Sequence, residues 1–248
     1  CDGSGTQLEA WLASNGGAIA SDVCGGVTWS HDFTSLSDEC GATGSAIVTF
    51  TATDDCGNSS TTSATFTIED DTAPTVDVES SDLVVECDGS GNESQLADWL
   101  ASNGGASASD VCSSVTWSHD FTSLSDECGA TGSATVTFTA TDDCDNTSTT
   151  TATFTIEDTI SPDLFIPPSY EADCSDELVL FDALASDDCS DVILTLSEDY
   201  NYSCANSYVL TRTWIATDDC GNSTTDIQTI TIVDTTAPTF VIIPEDYT

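Results

Sequence analysis

Acidic residues beside cysteines recur along this chain, and such carboxylates can hold a hard cation or act as an acid–base pair. Asp54-Asp55-Cys56, Asp142-Asp143-Cys144 and Asp218-Asp219-Cys220 are three versions of one block. A second set puts Asp22 before Cys24, Asp110 before Cys112, and Asp187-Asp188 before Cys189. A third set ends in linkers: Glu69-Asp70-Asp71, Glu157-Asp158 and Asp234. Paired carboxylates also serve glycoside hydrolysis. Here they return in every copy of a repeat, and three identical active sites are unexpected. His31 and His119 occupy equivalent strand positions, but no nucleophile–His–acid set repeats. No enzymatic activity is expected.

The charge balance is extreme. The chain carries 44 Asp plus Glu against one basic residue, Arg212, for a net charge of −43. Nucleic-acid binding is excluded in ordinary form, because nothing neutralises phosphates. Binding to an anionic membrane surface is disfavoured for the same reason. No apolar run is long enough to span a bilayer. The apolar fraction of 39%, with five Trp, supports cores rather than acidic disorder. With no Met and no signal peptide, a processed chain or an excerpt is expected. Twelve cysteines without a CxxC pair point to a secreted disulfide framework.

The elements that position these acids come from a repeat. Residues 22–70 align without gaps to residues 110–158, and those 49 positions differ at six. A diverged third copy begins at Cys174 and keeps Ala216-Thr-Asp-Asp-Cys-Gly-Asn222. Cysteines fall four to a copy: 1, 24, 40, 56; then 87, 112, 128, 144; then 174, 189, 204, 220. The copy length suits a small β-sandwich. Alternating apolar and hydroxyl residues predict strands over 27–33, 48–53 and 62–68. A first strand is expected over 75–86 in copy two and 164–171 in copy three. Leu96, Trp99 and Leu100 before Asn103-Gly-Gly predict a short helix with a glycine stop. The fold class is therefore all-β, tandem immunoglobulin-like sandwiches with a helical insert in the first two copies. Expected boundaries are 1–72, 73–160 and 161–236, with 237–248 as a strand for the next unit or repeat.

Topology assigns partners to the cysteines and acids. If strand 24–33 runs from one end of a sandwich to the other, strand 49–55 must return, which sets Cys56 beside Cys24. The first strand then ends near the third cysteine. Of the three connectivities open to four cysteines, this favours Cys1–Cys40, Cys24–Cys56, Cys87–Cys128, Cys112–Cys144, Cys174–Cys204 and Cys189–Cys220. The last strand of each copy delivers its linker acids to the next copy. Asp70 and Asp71 should meet Asp110, Asp142 and Asp143. Asp158 should meet Asp187, Asp188, Asp218 and Asp219. Asp234 should meet Asp22, Asp54 and Asp55 of a further unit. Carboxylates that converge without a cation cannot all stay ionised unpaired. Structural Ca²⁺ at the junctions is the expected solution, since it accepts irregular, many-ligand oxygen sites.

Copy one lacks a first strand, while Phe240, Ile242 and Tyr247 belong to a surplus one at the other end. Strand addition between copies would resolve both, and such a head-to-tail contact propagates into a fibre. A longer covalent array, with the tail leading into a fourth copy, is the alternative. Trp29, Trp117 and Trp214 suit sandwich cores. Trp11 and Trp99 are the better candidates for a partner or sugar surface.

Thr-Ala-Thr-Asp-Asp-Cys-Gly-Asn, a Thr-rich strand and Asp-Thr-Thr-Ala-Pro-Thr at 216–239 resemble hyalin-repeat (HYR-like) domains. These are immunoglobulin-like modules of large secreted and surface proteins, notably of Bacteroidetes. The resemblance implies an extracellular or cell-surface location and an adhesive or structural role without catalysis. It also points to O-glycan triplets at Thr72, Thr159 and Thr235. Asn-x-Ser/Thr motifs stand at Asn58, Asn92, Asn146, Asn201 and Asn222. The expectation is a subunit of an extracellular filament or stalk whose partners are copies of itself and glycans. The alternative is a carbohydrate-binding or adhesive array within a larger secreted protein.

Overall fold

The computed structural model describes residues 4–204 and 206–242. Those residues form an all-β chain with two short helices. The elements in order are α1 (Ser4–Ala13), β1 (Val27–His31), β2 (Gly44–Asp54), β3 (Ser59–Ile68), β4 (Thr75–Val78), β5 (Leu83–Glu86), α2 (Glu93–Ala101) and β6 (Ser107–Ser109). They continue as β7 (Val115–His119), β8 (Gly132–Asp142), β9 (Thr147–Glu157), β10 (Asp163–Phe165), β11 (Tyr170–Asp173), β12 (Leu184–Ser186), β13 (Val192–Cys204), β14 (Ser207–Asp218) and β15 (Ser223–Val233).

Sheets group by repeat. Repeat 1 holds one sheet of order β1-β2-β3. Repeat 2 has a sheet of order β5-β9-β8-β7 and a two-stranded sheet β4-β6. Repeat 3 matches it, with β11-β15-β14-β13 and β10-β12. A four-stranded and a two-stranded sheet in each of repeats 2 and 3 make the immunoglobulin-like sandwich, of which repeat 1 shows one sheet among the described residues. By compactness the chain falls into two units. One is Cys1–Leu83, Gln95–Ser123 and Ala134–Phe154; the other is Val84–Ser94, Leu124–Ser133 and Thr155–Thr248.

Alternation sets each core. Val48, Phe50 and Ala52 of β2 are buried, with threonines between them facing outward. Val136, Phe138 and Ala140 do the same in β8, and Ala152, Phe154 and Ile156 in β9. In repeat 3, Leu210, Ile230 and Ile232 pack with Tyr170, Ala172 and Leu178. Arg212, two residues along β14 from Leu210, is 2% exposed. Its guanidinium donates to Glu198 at 2.9 Å, the Phe181 carbonyl at 2.7 Å and Gln228 at 3.1 Å, and lies 4.8 Å from the Trp214 ring.

The helices form where the spacing placed them, and each runs into a glycine turn. Gly104 has φ 63°, and a Cβ there would meet Phe138 at 3.2 Å. Trp99 is 5% exposed, 5.2 Å from Phe138 and 5.6 Å from Phe154, and its indole N–H donates to the Ser81 carbonyl at 3.1 Å. This corrects its expected surface role: α2 presents Trp99 to the sandwich, as a plug.

The first strand is not one run but two. β4 pairs with β6, and β5 lies in the other sheet. In repeat 3 the corresponding β11 runs parallel to β15. The run breaks at Ser80-Ser81 in repeat 2 and at Pro167-Pro168 in repeat 3, where proline cannot donate to a ladder. Among the described residues, repeat 1 has no partner for the outer edge of β3. There Ala64, Phe66 and Trp11 are half-exposed, whereas their counterparts Ala152, Phe154 and Trp99 are buried.

The cysteine pairing differs from expectation. Cys40 bonds Cys144, Cys87 bonds Cys189, and Cys128 bonds Cys220. Cys112 is also disulfide-bonded. These bridges overturn Cys1–Cys40, Cys87–Cys128, Cys112–Cys144 and Cys189–Cys220. Cys24 and Cys56 are free and exposed, and Cys174 is free, so Cys24–Cys56 and Cys174–Cys204 do not form. The physical reason lies in the loops. The Cys40 loop meets the following repeat directly, with Ala42 N–H donating to the Cys112 carbonyl at 2.9 Å. Ala130 N–H reaches the Cys189 carbonyl at 2.8 Å in the same way. Each bridge therefore crosses a repeat boundary rather than closing a sandwich on itself.

Candidate metal centres at the repeat junctions

Each junction is assembled from a linker and two loops of the next repeat. At the first, Asp142 caps its turn, accepting the N–H groups of Cys144 at 2.8 Å and Asn146 at 2.9 Å. The turn aims the Asn146 amide at the linker, where it donates to the Asp70 carbonyl at 3.1 Å and to Asp142 at 2.9 Å. Asp110 accepts the N–H groups of Cys112 at 2.7 Å and Ser113 at 3.0 Å. Ligand atoms of Asp70, Asp110 and Cys112 then lie within 4.8 Å of one another. The second junction repeats this plan. Asn222 donates to the Asp158 carbonyl at 3.0 Å, and Asp187 accepts from Cys189 at 2.8 Å. Asp158, Asp187 and Cys189 lie within 4.8 Å. They line a recess of about 110 Å³ with Asp163, Asp188 and Cys87.

Electrostatics make both clusters costly as they stand. Asp70 Oδ2, Asp158 Oδ2 and Asp218 Oδ2 are buried oxygens without a hydrogen-bond donor. Burial raises the pKa of Asp158, and the charges of Asp187, Asp218 and Glu86 push it the same way. Cys112 and Cys189 are disulfide-bonded, so neither offers a thiolate. The donors left are oxygens, which suits a hard cation.

The other acids named from the sequence sit further out. Asp143 accepts the Ser114 hydroxyl at 2.8 Å, and Asp219 N–H donates to the Ser190 hydroxyl oxygen at 3.4 Å. Asp71 and Asp234 are exposed, Asp234 capping Thr236 N–H at 3.0 Å. Asp22, Asp54 and Asp55 line one recess with Cys24 and Cys56 at the end of repeat 1. Sequence reasoning missed Asn146 and Asn222 as the residues that hold the linker. Their place at the end of each Asp-Asp-Cys-x-Asn block was the available signal.

Candidate glycan positions divide. Asn92 is fully buried and its amide donates to the Glu86 carbonyl at 2.8 Å, which corrects it as a sugar site. Both amide hydrogens of Asn146 are engaged, as described above, so a sugar there would dismantle the junction. Asn58, Asn201 and Thr72 are exposed. The hydroxyls of Thr159 and Thr235 donate to Glu86 and Asp173. Phe240 and Ile242 are 86% and 84% exposed, and Tyr247 lies outside the described residues.

The disulfides place the chain in an oxidising, extracellular or surface setting. No helix among the described residues is long and apolar enough to cross a membrane. No family model matches the chain, and no curated protein matches it. Solved structures with distant similarity are tandem extracellular modules. Protocadherin Gamma B7 extracellular cadherin domains 1–4 align at 13% identity and TM-score 0.33, over 85% of this chain and 72% of that one. Protocadherin Gamma B2 extracellular cadherin domains 1–5 align at 16% and 0.31, over 77% of this chain and 45% of that one. The human Desmocollin-1 ectodomain aligns at 11% and 0.27, over 77% and 48%. The chain thus spans about half the length of the last two.

Proposed function

We propose that this chain is a structural subunit of an extracellular filament or surface stalk, built head-to-tail from hyalin-repeat-like modules. The reading is carried by the half-open sandwich of repeat 1. Among the described residues, Ala64, Phe66 and Trp11 are half-exposed, whereas their counterparts in repeat 2, where β5 lies beside β9, are buried. The exposed segment Phe240–Ile242 has the apolar character to cover the repeat-1 side chains. In this account residues 239–248 of one copy complete repeat 1 of the next by strand addition. Phe240, Ile242 and Tyr247 form the subunit contact.

Calcium at the junctions belongs to the same reading. Asp70 with Asp110, and Asp158 with Asp187 and Asp218, supply part of the six to eight oxygens Ca²⁺ takes. Water and backbone carbonyls make up the remainder. The ion would neutralise carboxylates that otherwise repel, and so hold successive repeats in fixed register. Asp234 with Asp22, Asp54 and Asp55 of the next copy would form the site between subunits. Exposed Asn58, Asn201 and Thr72 remain the places for glycans.

The test is electron microscopy of the purified chain with Ca²⁺, against the chain ending at residue 238 and against chelator. Filaments are expected only from the full chain with Ca²⁺. Equal assembly by the shortened chain would overturn strand addition. An unchanged melting temperature in chelator would overturn the metal.

A further inference from the structure

The two junctions share a plan but not a charge. Thr75 opens β4 opposite Ser109 of β6, and Asp163 opens β10 opposite Ser186 of β12, so Thr75 and Asp163 hold the same place in the fold. Val111 stands between Asp110 and Cys112, and Asp188 stands between Asp187 and Cys189. At the first junction Thr75 and Val111 line a recess of about 230 Å³ with Asp110 and Cys112. At the second, Asp163 and Asp188 line the counterpart, of about 110 Å³, with Asp187 and Cys189. Two neutral side chains thus give way to two carboxylates around a tighter space.

The buried oxygens differ in the same direction. At the first junction the Asn146 amide serves both the Asp70 carbonyl and Asp142 Oδ2, at 3.1 and 2.9 Å, while Asp70 Oδ2 stays buried without a donor. At the second, the Asn222 amide donates to the Asp158 carbonyl at 3.0 Å, while Asp158 Oδ2 and Asp218 Oδ2 are both buried without a donor. Asp218 is 4% exposed, and its charge bears on Asp158, as does that of Asp187. A buried carboxylate oxygen without a donor is unfavourable, and a bound cation relieves it.

We propose that the two junctions take up Ca²⁺ in order: the second, with Asp158, Asp163, Asp187, Asp188 and Asp218, fills at a lower Ca²⁺ concentration than the first. The proposal rests on the junctional-calcium reading and adds a sequence of occupancy to it. The charge count of the ligands is a main lever on Ca²⁺ affinity. Asp163 and Asp188 stand at the exposed rim of the recess, where each adds a negative charge and oxygen ligands. A rise in Ca²⁺ then fixes the linker at 158–163 first and the linker at 70–75 afterwards. The array stiffens stepwise rather than all at once.

The experiment titrates the metal-free 248-residue chain with Ca²⁺ alone, in about 0.15 M salt, where diffuse attraction to the acidic surface is screened. Hydrogen exchange read by mass spectrometry follows each linker separately. Residues 158–163 are expected to gain protection at a Ca²⁺ concentration roughly tenfold or more below that for residues 70–75, within the range over which ligand charge tunes such sites. Asp163→Thr/Asp188→Val gives the second junction the lining of the first and should raise its midpoint toward that of the first. Thr75→Asp/Val111→Asp does the reverse and should lower the midpoint of the first. All four positions are exposed, so the substitutions leave the cores untouched. Coincident midpoints in the parent chain, earlier protection of 70–75, or midpoints that neither double variant moves would overturn the order and leave junctional calcium standing. Protection at neither linker up to about 10 mM Ca²⁺, beyond the weak extracellular range, would remove junctional calcium and the order with it.

Discussion

Asn222 donates its side-chain amide to the backbone carbonyl of Asp158 at 3.0 Å, so a turn in one repeat grips the linker that enters it. Asn146 does the same for Asp70 at 3.1 Å. Both linkers also carry a buried carboxylate oxygen with no donor. The amide thus fixes the chain where charge is hardest to place. Asn222→Ala is expected to destabilise by about 1–2 kcal/mol, the cost of an unmade hydrogen bond at a part-buried group. Asn58→Ala, whose exposed amide reaches Asp54 of its own turn, should cost roughly 0.5 kcal/mol or less. Urea denaturation of the two variants checks the difference.

The bridge between Cys40 and Cys144 spans 104 residues of sequence. Its removal as Cys40→Ser/Cys144→Ser should lower stability by about 2–5 kcal/mol. Thermal melts read the loss, and mapping of unreduced peptides should recover Cys40 with Cys144 and Cys128 with Cys220.

Phe154 is fully buried, while its repeat-1 counterpart Phe66 is half-exposed. Phe154→Ala should cost about 3–5 kcal/mol, and Phe66→Ala about 1–2 kcal/mol, because less packing is lost. Under conditions of assembly the gap should narrow, since strand addition would bury Phe66. Equal costs in the dispersed chain would show that repeat 1 is already closed.

Acid should weaken the fold through carboxylates that accept backbone N–H groups. Thr49 N–H on Asp32 at 2.7 Å and Thr137 N–H on Asp120 at 2.8 Å hold both carboxyls below their usual range. A folded-state pKa below the unfolded value contributes stability that is present above about pH 4 and lost as pH falls through the folded value. Asp120→Asn should therefore show a shallower loss of melting temperature than the parent chain from about pH 4 to pH 2. Parallel curves would sink that assignment.

Much of this was legible in the residues. The alternation Val-Thr-Phe-Thr-Ala-Thr wrote β2 and β8 directly, because a strand shows opposite faces at successive positions. Leu96, Trp99 and the Asn-Gly-Gly stop wrote α2 and its end. The convergence of linker and loop acids followed from strand direction alone for Asp70 with Asp110 and for Asp158 with Asp187. The bridges did not follow. Strand direction says which end of a sandwich holds Cys40, but at that end the nearest loop belongs to the next repeat, and spacing carries no information about which neighbour is closer. The role of Trp99 was hidden likewise. Its helix could face either way until Ser81, Phe138 and Phe154 were placed around it.

Arg212 is the sole basic residue of the chain, and it is 2% exposed. A protease that cuts after lysine or arginine consequently finds no lysine and one arginine sealed among Glu198, Gln228 and Trp214. While folded, these repeats offer trypsin-like enzymes nothing to cleave, because the one bond they could recognise lies inside the third repeat.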